Sequence, residues 1–277
     1  PGIHHQYFPD ANTKNIIIGV SSSQNDGMAV LATNSIINLH FNGDTQCFPL
    51  YYYEPAPTAQ ADMFAAPRTG DGLVRRDGVS DWILAQARQR YGAAVSKEDI
   101  FYYVYGFLHS PDYRTTYAND LKKMLPRLPL VERTEDFWAF SRAGRALAAL
   151  HVDYEQVPAH PQVVVTGAEH GMFAVEKMRF AAKDRKDTII YNSAITISNI
   201  PAEAYEYVVN GKSAIEWVLE RYAITTHKES GIVNDPNDWA AEVGNPRYIL
   251  DLLLSVIHVS TQTVAIVAGL PPMKFEG

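Results

Sequence analysis

Four short stretches of this sequence have residue types that could do chemistry, and each lacks part of what that chemistry needs. Gly211-Lys212-Ser213 matches the tail of the phosphate-binding loop Gly-x-x-x-x-Gly-Lys-Ser/Thr, in which backbone N–H groups and a lysine surround a polyphosphate. The first glycine of that pattern should stand at 206, which is Glu206, and no strand leads into a glycine-rich loop there. Asn245-Pro246-Arg247-Tyr248 is one residue from the Asn-Pro-Pro-Tyr turn with which amino-methyltransferases hold a target amine. Arg247 replaces the second proline, no apolar strand precedes it, and no glycine-rich S-adenosylmethionine motif is present. A helix cap followed by a first-turn proline accounts for it better. Asn234-Asp235-Pro236-Asn237-Asp238-Trp239 has calcium-loop acids but neither the sixth-position glycine nor the twelfth-position glutamate. Asp112 with Asp184 and Lys186 fits an acid, acid, lysine nuclease template only because that template is permissive. No pair of histidines falls on one helix face at ligand spacing, and no serine or cysteine triad follows from spacing.

The remaining chemical potential is ionic and polar. Residues 175–186, VEKMRFAAKDRK, carry five cations against two acids, Lys122 and Lys123 are paired, and Ser21 to Asp26 form the polar run SSSQND. Overall the balance is 24 Lys and Arg against 31 Asp and Glu, a net charge of −7, which argues against nucleic-acid binding through bulk charge. A local cationic patch can still bind phosphate, although a charge run is more often a solvated face. The single cysteine, Cys47, excludes a disulfide framework and fits a reducing cytoplasm. The most apolar run, from Tyr248 to Val267, is interrupted by Asp251, His258 and hydroxyl residues and is not expected to span a membrane. The start, PGIHHQYFPD, lacks a signal-peptide pattern and an initiator Met, so the sequence is expected to be a fragment of a longer chain.

The elements that must position these residues follow from periodicity and caps. NIIIGV, MAVLAT and CFPLYYY are expected strands, with SSSQNDG as a turn between the first two. Residues 54–77, rich in Pro, Ala, Gly and Asp, are expected to be a mobile surface loop carrying Arg68, Arg75 and Arg76. Helices are expected after Ser80 or Asp81, after Ser96 with Asp99 in capping-box register, after Ser110 with Pro111 at the first turn, and after Thr134. Strands return at PQVVVTG, at the alternating MFAVEKMRF, at DTIIYN and at AITISNI. PAEAYEYVV is expected to be a helix ended by Asn210-Gly211. SAIEWVLERY follows, with Ser213 and Glu216 as a capping box, and a last helix is capped by Asn245. The fold class is therefore α+β: short mixed or antiparallel sheets in the N-terminal and central parts, a helical insert and a C-terminal helical segment. The coarse division is 1–60 β-rich, 61–77 loop, 78–150 helical, 160–200 β-rich and 201–270 helical.

The stretch YVYGFLHSPDYRTTYANDLKKMLPRLPL closely resembles the C-terminal specificity region of the type ISP restriction-modification enzymes. QCFPLYYY, VEKMRF, TIIYNSAITISNIPAEAYEYVVNGKSAIEWVLERY, SGIVNDPNDW and NPRYILDLLLSVIHVS agree in order, so the resemblance runs from about residue 15 to 270. It implies that residues 1–277 are a target recognition domain. In that family one polypeptide also carries a nuclease, a helicase-like ATPase and an adenine-N6 methyltransferase. S-adenosylmethionine, ATP and Mg2+ would then belong to upstream domains, with no cofactor, metal or catalytic residue in this fragment. Family members usually carry a Tyr-Arg-Pro-Phe segment just before the first strand, and this sequence begins after it, so that strand is expected to lack a neighbour. GFLHSPDYR also resembles the Leu-Asn-Ser helix turn of adenine-methyltransferase recognition domains, in which the Ser caps a scaffold helix.

Taken with the residues, the resemblance implies sequence-specific recognition of double-stranded DNA, with the methyltransferase domain of the same polypeptide as a second partner. Base edges are expected to be read by the polar run that includes Ser22, Gln24 and Asn25. Lys177 and Arg179, on one face of an alternating strand, are expected to contact phosphate, and Lys183, Arg185 and Lys186 to track the backbone from a turn. Lys122 and Lys123, at the exposed end of the helix that Ser110 starts, are also expected to reach phosphate. Arg68, Arg75 and Arg76 would order only on DNA. The alternative is a structural or docking domain that clamps the methyltransferase and touches DNA weakly. A concave positive strip containing Lys177, Arg179 and Lys183 would favour recognition, whereas scattered cations beside an apolar patch would favour docking.

Overall fold

Local capping chemistry explains why the helices start where they do in the computed structural model, which describes residues 4–23, 27–36, 45–56 and 72–273. The chain divides into two compact units, Pro1–Val152 with Gly269–Gly277, and Asp153–Ala268. The single domain expected over 1–277 is thus built of two such units.

Unit 1 opens with the short helix α1 (His4–Tyr7), then β1 (Ile17–Ser23), β2 (Gly27–Thr33) and β3 (Gln46–Pro49). Their order in the sheet is β2-β1-β3, all antiparallel, so β1 is central and has neighbours on both sides, contrary to expectation. Ile17, Ile18 and Val20 are buried, as these β-branched residues favour. β4 (Tyr51–Pro55) pairs with β5 (Leu73–Asp77), so the end of the expected 54–77 loop is a strand; residues 57–71 lie outside the described residues. Buried Asn15 joins these pieces. Its Nδ2 donates to the Tyr7 and Tyr51 carbonyls at 3.0 and 2.7 Å, and its Oδ1 accepts from the Tyr51 N–H at 3.0 Å.

The helices of unit 1 are α2 (Asp81–Tyr91), α3 (Lys97–Phe107), α4 (Pro111–Thr116), α5 (Ala118–Leu121) and α6 (Thr134–Val152). Ser80 caps α2, Ser96 and Asp99 form a capping box on α3, and Ser110 caps α4 with Pro111 in its first turn. Thr134 is the first residue of α6 rather than its cap. The helix expected from Ser110 breaks at Tyr117, which is non-helical at φ −103° and ψ 19°. The aromatics of IFYYVYGF are core: Tyr103, Tyr105 and Phe107 are fully buried, and Tyr103 stacks on Phe137 of α6 at 5.1 Å between centroids. α3 and α6 approach closely because Gly106 and Gly144 face the opposing backbone. A Cβ at 144 would lie 1.8 Å from the Tyr102 carbonyl oxygen. Tyrosine hydroxyls also hold an extended segment. Tyr113, Tyr103 and Tyr91 donate to the carbonyls of Arg127, Pro129 and Val131 at 3.0, 2.6 and 2.5 Å, alternate residues as an extended chain requires.

Unit 2 carries β6 (Val164–Thr166), β7 (Arg179–Ala182), β8 (Arg185–Ile190) and β9 (Thr196–Ser198), in an antiparallel sheet of order β6-β9-β8-β7. PAEAYEYVV is not a helix. It holds a 3-10 turn over Ala202–Tyr205 and then β10 (Val208–Val209), which pairs with β11 (Lys212–Ser213). Asn210 and Gly211 between them have φ of 47° and 76°, the positive pair of a type I′ hairpin turn. Ser213 then starts α7 (Ala214–Arg221) through its capping box with Glu216. A second hairpin, β12 (Thr225–Thr226) with β13 (Val233–Asn234), breaks the expected helical run 201–270 again. α8 (Asn237–Glu242) and α9 (Tyr248–Ala268) follow. Asn245 Oδ1 accepts from the Arg247 N–H at 3.0 Å, as expected of a cap, and α9 runs nine residues beyond the expected NPRYILDLLLSVIHV to Ala268. It is the one described helix long and apolar enough to cross a membrane. Its Leu250, Leu253 and Ile257 nonetheless lie in the core of unit 2 with Ile189, Ile195, Ile197 and Ile215.

Candidate nucleic-acid interface

The cations of VEKMRF are presented by an extended segment held by side chains. Val175 and Met178, three apart, are both buried, so the alternation expected over MFAVEKMRF fails and the strand begins only at Arg179. Lys177 therefore precedes the strand rather than sharing its face. Tyr191 Oη donates to the Phe173 carbonyl at 2.8 Å, and Asn192 Nδ2 to those of Met172 and Ala174 at 2.8 and 2.9 Å. Asn192 Oδ1 accepts from the Ala194 and Ile195 N–H groups at 2.9 and 2.7 Å, fixing the turn between β8 and β9. Asn237 brackets Val175, accepting from its N–H at 2.9 Å and donating to its carbonyl at 2.8 Å. The Ile224 N–H, at the base of the β12–β13 hairpin, donates to the Glu176 carbonyl at 2.8 Å.

Held in this way up to the Glu176 carbonyl, the segment turns Glu176 and Lys177 into solvent beside Arg179. These three, with Met172, Ala174, Ile190, Asn192 and Ser193, line a concavity of about 300 Å3. Among the described residues, the side chains of Glu176, Lys177, Arg179 and Ser193 have no hydrogen-bond or ion-pair partner, whereas Asn192 is fully used.

The neighbouring cations divide into two kinds. Lys183, with Asp184, forms the tip between Ala182 and Arg185 and is exposed, with no partner among the described residues. Lys186 is 2.8 Å from Glu216, the capping acid of α7, and lies 5.6 and 5.5 Å from the ring centroids of Phe180 and Tyr205. That ammonium group is the main reason the Glu216 carboxyl titrates below the ordinary range. Arg185 sits 3.6 Å from Asp187 and 3.5 Å from the Thr188 hydroxyl. Both are strand residues with protein partners, so the five cations of 175–186 do not act as one patch.

The other expected site residues lie in unit 1. Ser22 is exposed but belongs to β1, paired with Met28, and Ser21 beside it is buried, so the described part of the polar run, Ser21 to Ser23, is the end of a strand. Gln24, Asn25 and Asp26 lie outside the described residues, as does Arg68. Arg75 and Arg76 are already fixed on β5: Arg75 lies 4.2 Å over the Tyr51 ring, and Arg76 pairs with Glu54 at 2.7 Å. Lys122 and Lys123 follow the end of α5 in a turn, Lys123 exposed and Lys122 half-buried. Near them a concavity of about 580 Å3 is lined by Tyr113, Tyr117, Leu121, Met124, Leu125 and Pro126 among others. Among the described residues no group of three or more His, Cys, Asp or Glu converges to hold a metal ion. Sequence reasoning missed Glu176 and Ser193. Glu176 was legible as the acid beside Lys177, while Ser193 is brought near only by the β7–β8 hairpin.

The described residues thus form an α+β fold whose second unit carries a cationic concavity held by side-chain hydrogen bonds. The Type ISP C-terminal specificity domain matches the chain across residues 1–252, and the chain belongs to that family. It is similar over 99% of its length, at 39% identity and a TM-score of 0.77, to a nuclease-deletion mutant of the Type ISP restriction-modification enzyme LlaGI in complex with a DNA substrate mimic. The ATP-dependent Type ISP enzyme LlaBIII bound to DNA matches 98% of the chain at 34% identity and a TM-score of 0.82. The DrdV–DNA complex also matches 98%, at 30% identity and a TM-score of 0.78. The alignments cover 22%, 17% and 26% of those three chains, so this chain spans about a quarter of their length or less. No curated protein matches it.

Proposed function

We propose that this chain recognises a specific duplex DNA sequence and holds it for the methyltransferase and the ATPase and nuclease parts of a restriction-modification polypeptide in the cytoplasm. Membership of a specificity-domain family supports this, as do three similar chains that are each in complex with DNA or a DNA mimic. The observation that carries it within the chain is the sorting of cations. Lys186 and Arg185 are tied to protein acids, while among the described residues Lys177 and Arg179 on one concavity, and Lys183 at the hairpin tip away from it, have no partner. An unpaired, exposed cation contributes little to folding and is available to displace counterions from phosphate. Catalysis, with S-adenosylmethionine, ATP and Mg2+, would be supplied by other parts of the polypeptide. The chain itself would be non-catalytic.

Binding to a pool of random duplexes at two salt concentrations, with selection and sequencing, tests the proposal. Enrichment of one asymmetric motif that persists at the higher salt is the expected result. Lys183→Ala should then weaken all sequences alike and lower the salt slope by about 0.9, whereas Lys186→Ala should leave the slope unchanged. Salt-labile binding with no enriched motif would refute recognition by this chain. A second reading, docking of the methyltransferase, is favoured for unit 1 by Met124 and Leu125, which are 46% and 43% exposed beside its larger apolar concavity. Charged substitutions at these two positions would then leave DNA binding intact and weaken association with a separately supplied methyltransferase part.

A further inference from the structure

The unit 2 concavity contains an acid, and that limits what it can bind. Its polar side chains without a partner among the described residues are Glu176, an acceptor; Lys177 and Arg179, which only donate; and Ser193, which does both. A phosphodiester is an anion that only accepts. A site built for it needs cations, hydroxyls and N–H groups, and a carboxylate on its rim would repel it. A base-pair edge in the major groove is different, because it offers acceptors and donors side by side. Guanine presents O6 and N7, which arginine or lysine grips, and cytosine presents an N4 amino group, which a carboxylate accepts from. No other base pair suits a strong two-donor group and a charged acceptor together so well.

The anchoring of the segment fits that task. Discrimination between bases requires donors and acceptors at fixed positions, since a mobile side chain can follow whichever partner is offered. Tyr191 and Asn192 hold the backbone carbonyls of residues 172–174 and Asn237 holds Val175, and Val175 and Met178 are sunk in the core on either side of Glu176 and Lys177. The acid and the two cations therefore project from a fixed frame. Lys183, at an exposed hairpin tip away from these anchors, has the simpler surroundings of a phosphate contact.

We infer that the concavity reads a G·C base pair in the major groove, with Arg179 and Lys177 donating to guanine and Glu176 accepting from the cytosine amino group. This rests on the DNA-recognition reading above and assigns base readout to residues first expected to contact phosphate. The test measures affinity of the whole 277-residue chain for its selected duplex and for duplexes with each base pair replaced in turn. Arg179→Ala is expected to erase a preference of about 5- to 150-fold at one G·C pair while leaving discrimination at other positions intact. Glu176→Gln is expected to shift preference at the same or the adjacent pair from cytosine towards adenine, because an amide pairs with adenine N6 and N7. A phosphate site predicts the opposite for the acid: Glu176→Gln would tighten all sequences alike, and Arg179→Ala would weaken all alike with a smaller salt slope. That pattern, or no effect of either substitution, overturns the inference and leaves DNA recognition standing. A wild-type chain that selects no sequence overturns both. Unchanged far-UV circular dichroism and melting temperature in the two variants would exclude misfolding as the cause.

Discussion

Replacing Gly144 by alanine should destabilise unit 1, and the sign of the effect is the informative part. In an exposed helix interior, alanine is favoured over glycine by about 1 kcal/mol, so a substitution that met nothing would raise stability. Here the new Cβ would lie 1.8 Å from the Tyr102 carbonyl oxygen and 2.6 Å from the Gly106 nitrogen, both backbone atoms of α3. An ordinary contact is roughly 3.5 Å. The two helices would therefore have to part by well over an ångström, opening the packing of Tyr103 and Phe107 against Phe137 and Phe140. Overpacking a core costs typically 1–3 kcal/mol, and an obstacle made of backbone cannot rotate away, so the upper end applies. With about 1 kcal/mol returned as helix propensity, the net loss is about 2 kcal/mol, or a melting temperature lower by roughly 4–8 °C for a unit of this size. Differential scanning calorimetry would measure it. A variant that melts at or above the parent temperature would show that α3 and α6 do not cross this closely.

Two further outcomes follow from polar groups, one pair buried and one half-buried. His109 and His151 are buried with ring centroids 5.8 Å apart, and burial pushes both below the ordinary histidine range, His151 to about 4. The unfolded chain therefore takes up these protons first as pH falls. Stability should be flat above about pH 6.5 and lost progressively towards pH 4, with His151 alone costing about 2 kcal/mol by about pH 5. Urea unfolding at about pH 7.5 and about pH 5 with equal midpoints would contradict this. Asn192→Ala removes the two donors that hold Met172 and Ala174 and the acceptor that fixes the β8–β9 turn. It should cost about 2–3 kcal/mol and weaken selective DNA binding more than non-specific binding. Proportional loss of both would mean that the frame around Val175 does not position the reading residues.

Features set by a few consecutive residues were legible in the sequence. The capping boxes at Ser96 with Asp99 and Ser213 with Glu216, and the Ser110-Pro111 start, were found because a cap and its partner lie three residues apart. The errors occur where one local signal has two meanings. Asn210-Gly211 can stop a helix or make a type I′ turn, and here it makes the turn. MFAVEKMRF alternates like a strand, but its anchors Val175 and Met178 are three apart because Asn192 and Asn237, far along the chain, replace the missing strand neighbour. The site was half legible for the same reason. Lys177 and Arg179 stood out by charge, but only the fold separates them from Lys186, which already has Glu216 as its partner.

The clamping of residues 172–175 by amide and phenol side chains also bears on how such a chain can change its target over time. The groups that secure the segment, Tyr191, Asn192 and Asn237, are different residues from those that face outward, Glu176, Lys177, Arg179 and Ser193. Substitutions at the outward positions leave every anchoring bond in place and draw little on the few kcal/mol by which a domain stays folded. New preferences could then be tried one side chain at a time on an unchanged mount. If other parts of the same polypeptide both modify and cut the DNA that this chain selects, one substitution would retarget both activities together.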